Sequence, residues 1–268
     1  MSGAPASESV TERVADFPAR AMAATLNRPE AFARGTPLPP LWHWFHCLKL
    51  YPMSEAGADG HQALGHVLPD LGLPRRMWAG GRFTFHRPLT IGADVTRQSQ
   101  VLNVAQKEGR SGPIAFVTVA HRWSDATGLL IDEEQDIVYR RADAPPGATQ
   151  PAPVDEALSR TMNAGPVLLF RYSALTFNGH RIHYDRDFCA DEGYDGLVVH
   201  GPLLATLLLD LLRVEGGRLP KTFAFRAMAP VTADTPFTLC ARIEGDSARL
   251  WIRRQDGIQA MDATATLA

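Results

Sequence analysis

The chain has 268 residues, 45% of them hydrophobic, and a formal net charge of −2. That hydrophobic share supports a sizeable core, and the near-neutral balance excludes the basic surface that nucleic-acid binding requires. The three cysteines, Cys47, Cys189 and Cys240, are odd in number and far apart. They form neither a disulfide framework nor a metal-ligand spacing, which suits a reducing compartment.

The opening stretch, MSGAPASESVTERV, lacks the apolar run of a secretory signal and is poor in basic residues before Arg13. No apolar run reaches the ~20 residues a membrane span needs. The expectation is a cytoplasmic protein without a membrane segment. Residues 11–27 read as a helix with Val14, Phe17, Ala21 and Leu26 on one side, weakened by Pro18. After the proline-rich GTPLPP, the run LWHWFHCL predicts a short buried helix over about 40–49. Residues 51–80, rich in glycine and charge, read as a long loop, and loops of that length in a compact domain are often functional.

From Gly81 the period changes to two. Phe83 and Phe85 alternate with Arg82, Thr84 and His86, and 114–124 and 129–140 are further strand candidates. Residues 142–155, ADAPPGATQPAPVD, have no apolar period and read as a linker. Beyond it the strand pattern returns in PFTLCARIEG, with Phe237, Leu239, Ala241 and Ile243 on one face, then in ARLWIRRQ and IQAMDATATLA. The return is a repeat. FTFHRPLTIGAD at 83–94 lies over FAFRAMAPVTAD at 223–234 at a constant offset of 140 without a gap. Two copies of helix followed by antiparallel strands predict an α+β architecture. The division expected is 1–141, a linker over 142–158, and 159–268.

The densest polar chemistry lies in 170–203, FRYSALTFNGHRIHYDRDFCADEGYDGLVVHGPL, directly before an apolar helix predicted over 202–213. Pro202 suits a first helical turn, where no N–H is missed. The first-turn amides are unpaired at the positive end of the helix dipole, so they can polarise a carbonyl or hold an anion. Gly216-Gly217 is the expected stop.

The runs T-x-N-x-H-R-I-H-Y-D and G-L-V-V-H-G-P-L closely resemble the hotdog-fold enoyl-thioester hydratases of the MaoC type. They look most like the double-hotdog subgroup that contains mesaconyl-C4-CoA (3-methylfumaryl-CoA) hydratase, itaconyl-CoA hydratase and the mitochondrial 3-hydroxyacyl-thioester dehydratase. The resemblance implies two hotdogs, each a curved antiparallel sheet wrapped around a central helix, with the helices at about 40–49 and 202–213. It implies a hydratase, a lyase that adds water to an unsaturated acyl-CoA. The substrate class it suggests is a branched C5 dicarboxylyl-CoA, giving citramalyl-CoA. No cofactor or metal is expected, and a homodimer is expected by analogy. The wider family's signature, G-D-x-N-P-I-H, puts its catalytic Asp on Asn178 and its catalytic His on His183, and its Asn-Pro falls on His180-Arg181. The N-terminal counterpart of this stretch has no histidine before its proline-rich turn, so the first half reads as non-catalytic.

Hydrating a conjugated thioester requires an activated water at Cβ, a proton at Cα and a donor for the thioester oxygen. His183 is the candidate acid–base, against the plain alternative of a histidine that only satisfies a hydrogen bond. Asn178 cannot be a general base. It can orient water, or it can simply serve the Asn-Gly turn. Gly201, with His200 before it, is the candidate thioester-oxygen site. His180 and His183 form an H-x-x-H pair, but no third or fourth zinc ligand has a matching spacing. Arg171, Arg181 and Arg226 are candidates for CoA phosphates or a substrate carboxylate, each with a solvated surface role as the alternative, and His180 and Tyr184 complete the candidate substrate contacts. His86, His121 and the cluster Trp42–His46 read as packing residues of the first half. The rival readings are a (3R)-hydroxyacyl-thioester dehydratase of fatty acyl chains and a non-catalytic acyl-CoA-binding hotdog protein.

Overall fold

The computed structural model describes residues 7–64, 68–109, 112–142 and 147–268. Parts of the opening stretch and of the predicted long loop and linker (1–6, 65–67 and 143–146) lie outside the described residues. Among the described residues, ten strands form one antiparallel sheet: β1 Ser7–Arg13, β2 Arg75–Phe85, β3 Asp94–Gly109, β4 Gly112–Asp125, β5 Gly128–Arg140, β6 Leu158–Met162, β7 Pro220–Ala227, β8 Phe237–Glu244, β9 Ser247–Arg254 and β10 Gln259–Leu267. Their order across the sheet is β1-β3-β4-β5-β2-β7-β10-β9-β8-β6. Read from either edge, this is the same series: first, third, fourth, fifth and second strand of a half. The halves meet where β2 pairs β7, with Phe83 opposite Phe223.

The helices are α1 Asp16–Thr25, α2 Pro166–Thr176, α3 Arg186–Asp191 and α4 Gly201–Val214. α4 is the central helix of the second half. Every residue from Leu203 to Leu212 is buried, and the helix packs on β6, β7, β8 and β9. A helix apolar on all sides is stable only when protein surrounds it. Its one buried charge, Asp210, is met by Arg28, by Arg160 at 3.0 Å and by Arg213 at 3.1 Å. A buried carboxylate needs such partners, and through Arg28 it fastens the first half to this helix.

Three expectations need correction. The helix read over 11–27 begins at Asp16, because Ser7–Arg13 is an edge strand on β3. Pro18 sits in the first turn of α1, where its missing N–H is not needed. The buried face of α1 is Ala19, Met22 and Ala23, while Phe17 is exposed. The helix expected over 40–49 is a single 3-10 turn, Trp42–Phe45, at the place where α4 starts in the other half. Left-handed backbone at Leu41 and Cys47 and an extended His46 stop it on both sides. The turn is held instead by buried Glu133, which lies 3.1 Å from His43 Nε2 and accepts from Trp44 Nε1 at 2.8 Å and Trp123 Nε1 at 3.3 Å. Finally, the halves correspond in space at an offset of 142 and not the 140 of the sequence repeat: the pair Phe85–Ile131 matches Ala227–Met261, and the amides of His86 and Arg87 on Leu130 O match those of Met228 and Ala229 on Ala260 O. Thr90 and Thr232, bridged to Pro37 and Val198, keep the same offset, five residues beyond the ends of β2 and β7.

From Gln150 the predicted linker runs along the second half. Ala152 N–H donates to Gly257 O, and Pro153 O accepts from Trp251 Nε1 at 3.0 Å.

Candidate active site

The motif is laid out by three short devices. α2 ends at Phe177 in left-handed backbone. Asn178 Oδ1 then accepts the His180 N–H at 2.9 Å, an Asx turn. A single 3-10 turn, Arg181–His183, follows, and Asp185 caps α3 by accepting from Phe188 N–H at 3.0 Å. The strand-like run 197–199 bridges to 231–233 and delivers His200 to the N-terminus of α4.

His183 is buried, and its Nδ1 lies 2.7 Å from the Val198 carbonyl oxygen. A carbonyl only accepts, so Nδ1 carries the proton and Nε2 keeps its lone pair. Burial lowers the His183 pKa to about 4, against the Val198 bond, which raises it, and with His61, which lowers it further. The neutral, base-competent ring is therefore the form present near neutral pH. His183 stacks on His200, with ring centroids 3.5 Å apart. His200 is fully buried, its Nε2 is 2.8 Å from Ser173 Oγ, and burial followed by the charges of His183, His180 and His61 holds it well below the ordinary range.

Gly201 opens α4, so its amide has no intrahelical acceptor. A Cβ there would meet only the Trp78 carbonyl oxygen, at 3.8 Å, and the residue has no positive φ. Neither packing nor backbone strain requires glycine at this position. What its bare Cα provides is close approach for a ligand to the helix amides.

The other predicted residues are placed as follows. Arg181 binds Asp185, through Nη2 at 2.7 Å, and donates to Ala58 O at 3.2 Å. Tyr184 is exposed and donates to Gly179 O at 3.1 Å. Arg171 lies on the exposed side of α2 and has no ion pair among the described residues. His86 is at the surface beside Asp132, and His43 and His46 are buried in the first half. The sheet also carries a groove of about 1100 Å³ on its outer face, lined by Arg82, Arg122, Arg242 and Arg249 among others. None of the motif residues lines it.

The first half also reaches the site, through residues the motif does not contain. The loop after Leu50 lies on the motif. Arg181 N–H donates to Asp59 O at 2.9 Å, and Tyr51 OH donates to Gly60 O at 2.9 Å. Asp59 accepts from His61 N–H at 3.0 Å and lies 3.4 Å from His61 Nδ1, and Arg76 Nε is 3.3 Å from the same carboxylate oxygen. Burial would raise the Asp59 pKa, but the His61 bonds and the Arg76 charge outweigh it and hold the carboxyl below its usual range. The His61 ring is 4.4 Å from that of His180, which is 5.6 Å from that of His183. Burial, then His61 and His183, lowers the His180 pKa to about 3. Among the described residues the H-x-x-H pair thus finds ligand-type partners on the His180 side, where atoms of Asp59, His61 and His180 lie within 4.8 Å of one another. The only advance sign of these residues was the length of the loop itself.

The family profile of hydroxyacyl-thioester dehydratase type 2 matches residues 41–233, more than half of the chain. The chain belongs to this family. It is 48% identical to the mesaconyl-C(4)-CoA hydratase of Chloroflexus aurantiacus over 97% of this chain and 95% of the relative. It is 27% identical to the mitochondrial hydroxyacyl-thioester dehydratase type 2 of Schizosaccharomyces pombe, over 83% and 82% of the two chains. In fold it is similar to HtdX of Mycobacterium tuberculosis, with a TM-score of 0.68 at 18% identity, covering 96% of this chain and 98% of that one. It is also similar to a MaoC-like dehydratase from Phytophthora capsici, with a TM-score of 0.70 at 13% identity, covering 98% and 95%. Membership of the hydroxyacyl-thioester dehydratase type 2 family agrees with the α+β double-hotdog architecture described above.

Proposed function

We propose that the chain is a hydratase that adds water across the double bond of an unsaturated acyl-CoA, with mesaconyl-C4-CoA as the substrate and citramalyl-CoA as the product. The observation that carries the reading is the 48% identity to a mesaconyl-C(4)-CoA hydratase over nearly the whole of both chains. The site supports it with a neutral His183 beside a helix N-terminus. His183 Nε2 takes a proton from the attacking water. The water oxygen bonds to Cβ, and the π pair moves toward the thioester, whose oxygen accepts from the Gly201 amide. Aimed donors of this kind act where charge develops, and so favour the transition state over the ground state. Asn178, its Oδ1 occupied by the His180 amide, has its NH2 group left to orient the water or the acyl chain.

A dicarboxylyl chain brings a carboxylate that must be paired when buried. Arg181 already serves Asp185, which leaves Arg171 as the freer of the two arginines for a substrate carboxylate or the CoA phosphates. Exposed Val167 and Phe170 on α2 support a homodimer, to be checked by light scattering. The three unpaired cysteines suit a reducing cytoplasm.

The test is loss of enoyl-thioester absorbance with mesaconyl-C4-CoA, itaconyl-CoA, crotonyl-CoA and a long-chain enoyl-CoA. Preference for mesaconyl-C4-CoA is expected. Equal or better turnover of crotonyl-CoA would transfer the assignment to a fatty-acyl dehydratase, and no turnover of any of them to a binding protein.

A further inference from the structure

A hydratase moves two protons, one off the water and one onto Cα. The motif supplies one group suited to that work, His183. The position of the family's usual carboxylate is Asn178, an amide that takes no proton near neutrality and whose Oδ1 is spent on the turn. Asp185, the nearby acid in sequence, is occupied by Arg181 and by the cap of α3. The carboxylate that acts on the histidines comes instead from the first half of the chain.

We infer that the Asp59–His61 pair, carried by the loop of the N-terminal half, is the second proton-transfer unit of the active site, with His61 exchanging the proton at Cα and Asp59 positioning its ring. The inference rests on the hydratase reading. The geometry is that of a carboxylate–imidazole couple. Asp59 Oδ2 faces His61 Nδ1 at 3.4 Å, while Oδ1 fixes the His61 backbone at 3.0 Å. A carboxylate on one ring nitrogen sets the tautomer and leaves the other nitrogen for chemistry. His61 is partly exposed, unlike buried His183, so a ligand can reach it. Its ring heads a row of four imidazoles, His61, His180, His183 and His200, with successive centroids 4.4, 5.6 and 3.5 Å apart.

The loop is built to stay there. Gly60 crosses Gly179 backbone to backbone: a Cβ on Gly60 would lie 2.0 Å from the Gly179 oxygen, and one on Gly179 2.6 Å from the Gly60 oxygen. Tyr51 and Arg181 tie the same crossing from each side. Arg76, almost buried and 3.3 Å from Asp59, supplies the positive charge at this cluster. That guanidinium stands where a metal ion bound by Asp59, His61 and His180 would need an uncompensated carboxylate, and it favours proton transfer over metal binding at these residues.

The proton count closes. In hydration, His183 Nε2 takes a proton from water as the oxygen bonds to Cβ. The π pair passes to the thioester, and the enolate takes a proton at Cα from protonated His61. A proton then returns from His183 to His61 through the His180 ring between them, or through solvent, and both groups are reset. Dehydration is the same sequence reversed.

The experiment is steady-state kinetics on full-length protein with mesaconyl-C4-CoA, after wild-type turnover has been established. His61→Gln, which keeps a polar side chain beside Asp59, and His61→Ala should each lower kcat roughly 10²-fold with KM little changed. Added imidazole should partly restore His61→Ala. Asp59→Asn should lower kcat less than His61→Gln, and Asp59→Glu should recover part of that loss. Both His61 variants should melt within a few degrees of wild type. Folded His61 variants with near-wild-type kcat, or a loss confined to KM, overturn the inference and leave the hydratase reading standing. Activity abolished by a chelator and restored by zinc overturns it in favour of a metal site. A wild type inactive on every enoyl-CoA takes both the reading and the inference with it.

Discussion

Phe83 and Phe223, aligned by the sequence repeat, are direct partners across the β2–β7 pair, with ring centroids 6.0 Å apart. By strand pairing Phe83 corresponds to Phe225, so the two-fold relation between the halves passes one residue away, where Arg82 pairs with its counterpart Ala224. The seam of the double hotdog is this β2–β7 pair, and the two rings face each other across it. Both are buried, and Phe85 and Phe225 extend the stack on either side.

This seam predicts matched losses. Phe83→Ala and Phe223→Ala each remove a buried ring, which typically costs about 3–5 kcal/mol. Because the rings touch, the double variant should lose less than the two single losses added together. Urea unfolding of the four proteins checks this. A small effect at one position and a large one at the other would show that the halves do not share one core at the seam.

Much of this frame was legible beforehand, for reasons the structure makes plain. Phe83 and Phe85 alternate with Arg82, Thr84 and His86, and Phe223 and Phe225 with Thr222, Ala224 and Arg226, because one side of β2 and β7 faces the core. α4 could be read from its composition, since a helix enclosed by protein has no polar face to confuse the pattern. β1 could not. SESVTER pairs on one side only, with β3, and buries little, so it shows no apolar period. The 3-10 turn at Trp42–Phe45 looked helical because all four side chains are buried, but His43 and Trp44 turn to Glu133 while Trp42 packs on Phe32 and Phe45 on Tyr172. Within the site, the contiguous motif was visible as a string, whereas Asp59 and His61 meet it only through tertiary contact, which spacing along a sequence does not encode.

His183 should make both stability and activity depend on pH in a defined window. Its folded pKa of about 4 lies below the ordinary 6.5 because the ring is buried. Between those values the unfolded chain holds a proton that the folded chain does not, so stability rises with pH there. The contribution is complete above about pH 6.5 and is lost as pH falls toward about 4; the gap is worth roughly 3 kcal/mol. His180 and His200, also lowered by burial, act in the same direction. Melting temperature should fall steeply from pH 6.5 to 4.5, and less steeply in His183→Gln. The acid limb of kcat/KM should lie well below pH 6.5, and His183→Ala should lose at least roughly 10²-fold in kcat while remaining folded. An acid limb near 6.5 would falsify the neutral buried base.

Asn178 separates turn from chemistry. Its Oδ1 accepts the His180 N–H, and a carboxylate oxygen makes the same bond. Asn178→Asp should therefore melt near wild type, while Asn178→Ala should lose about 1 kcal/mol from the turn. If the free NH2 orients water or the acyl chain, kcat should fall in both. If the side chain only shapes the turn, Asn178→Asp should keep full kcat. Exposed His86, whose ring meets Asp132 at the surface, provides the control: His86→Ala should leave kcat unchanged.

Gly60 tests whether the loop of the first half must dock for catalysis. Its φ is +88°, a region that disfavours side chains, and a Cβ there would lie 2.0 Å from the Gly179 oxygen. Neither side of that contact can yield by rotating a side chain, because both are backbone. Gly60→Ala should therefore lift the loop from the motif, carrying Asp59 and His61 away from His180. The loop holds no part of the main apolar cluster, so the melting temperature should drop by only a few degrees. Amide exchange should rise across 57–63, and also at Arg181, whose N–H donates to Asp59 O. Turnover should fall as far as in His61→Gln, since both remove the same imidazole from the site. Full activity in a Gly60→Ala protein whose exchange shows the loop released would mean that the C-terminal half performs the chemistry alone.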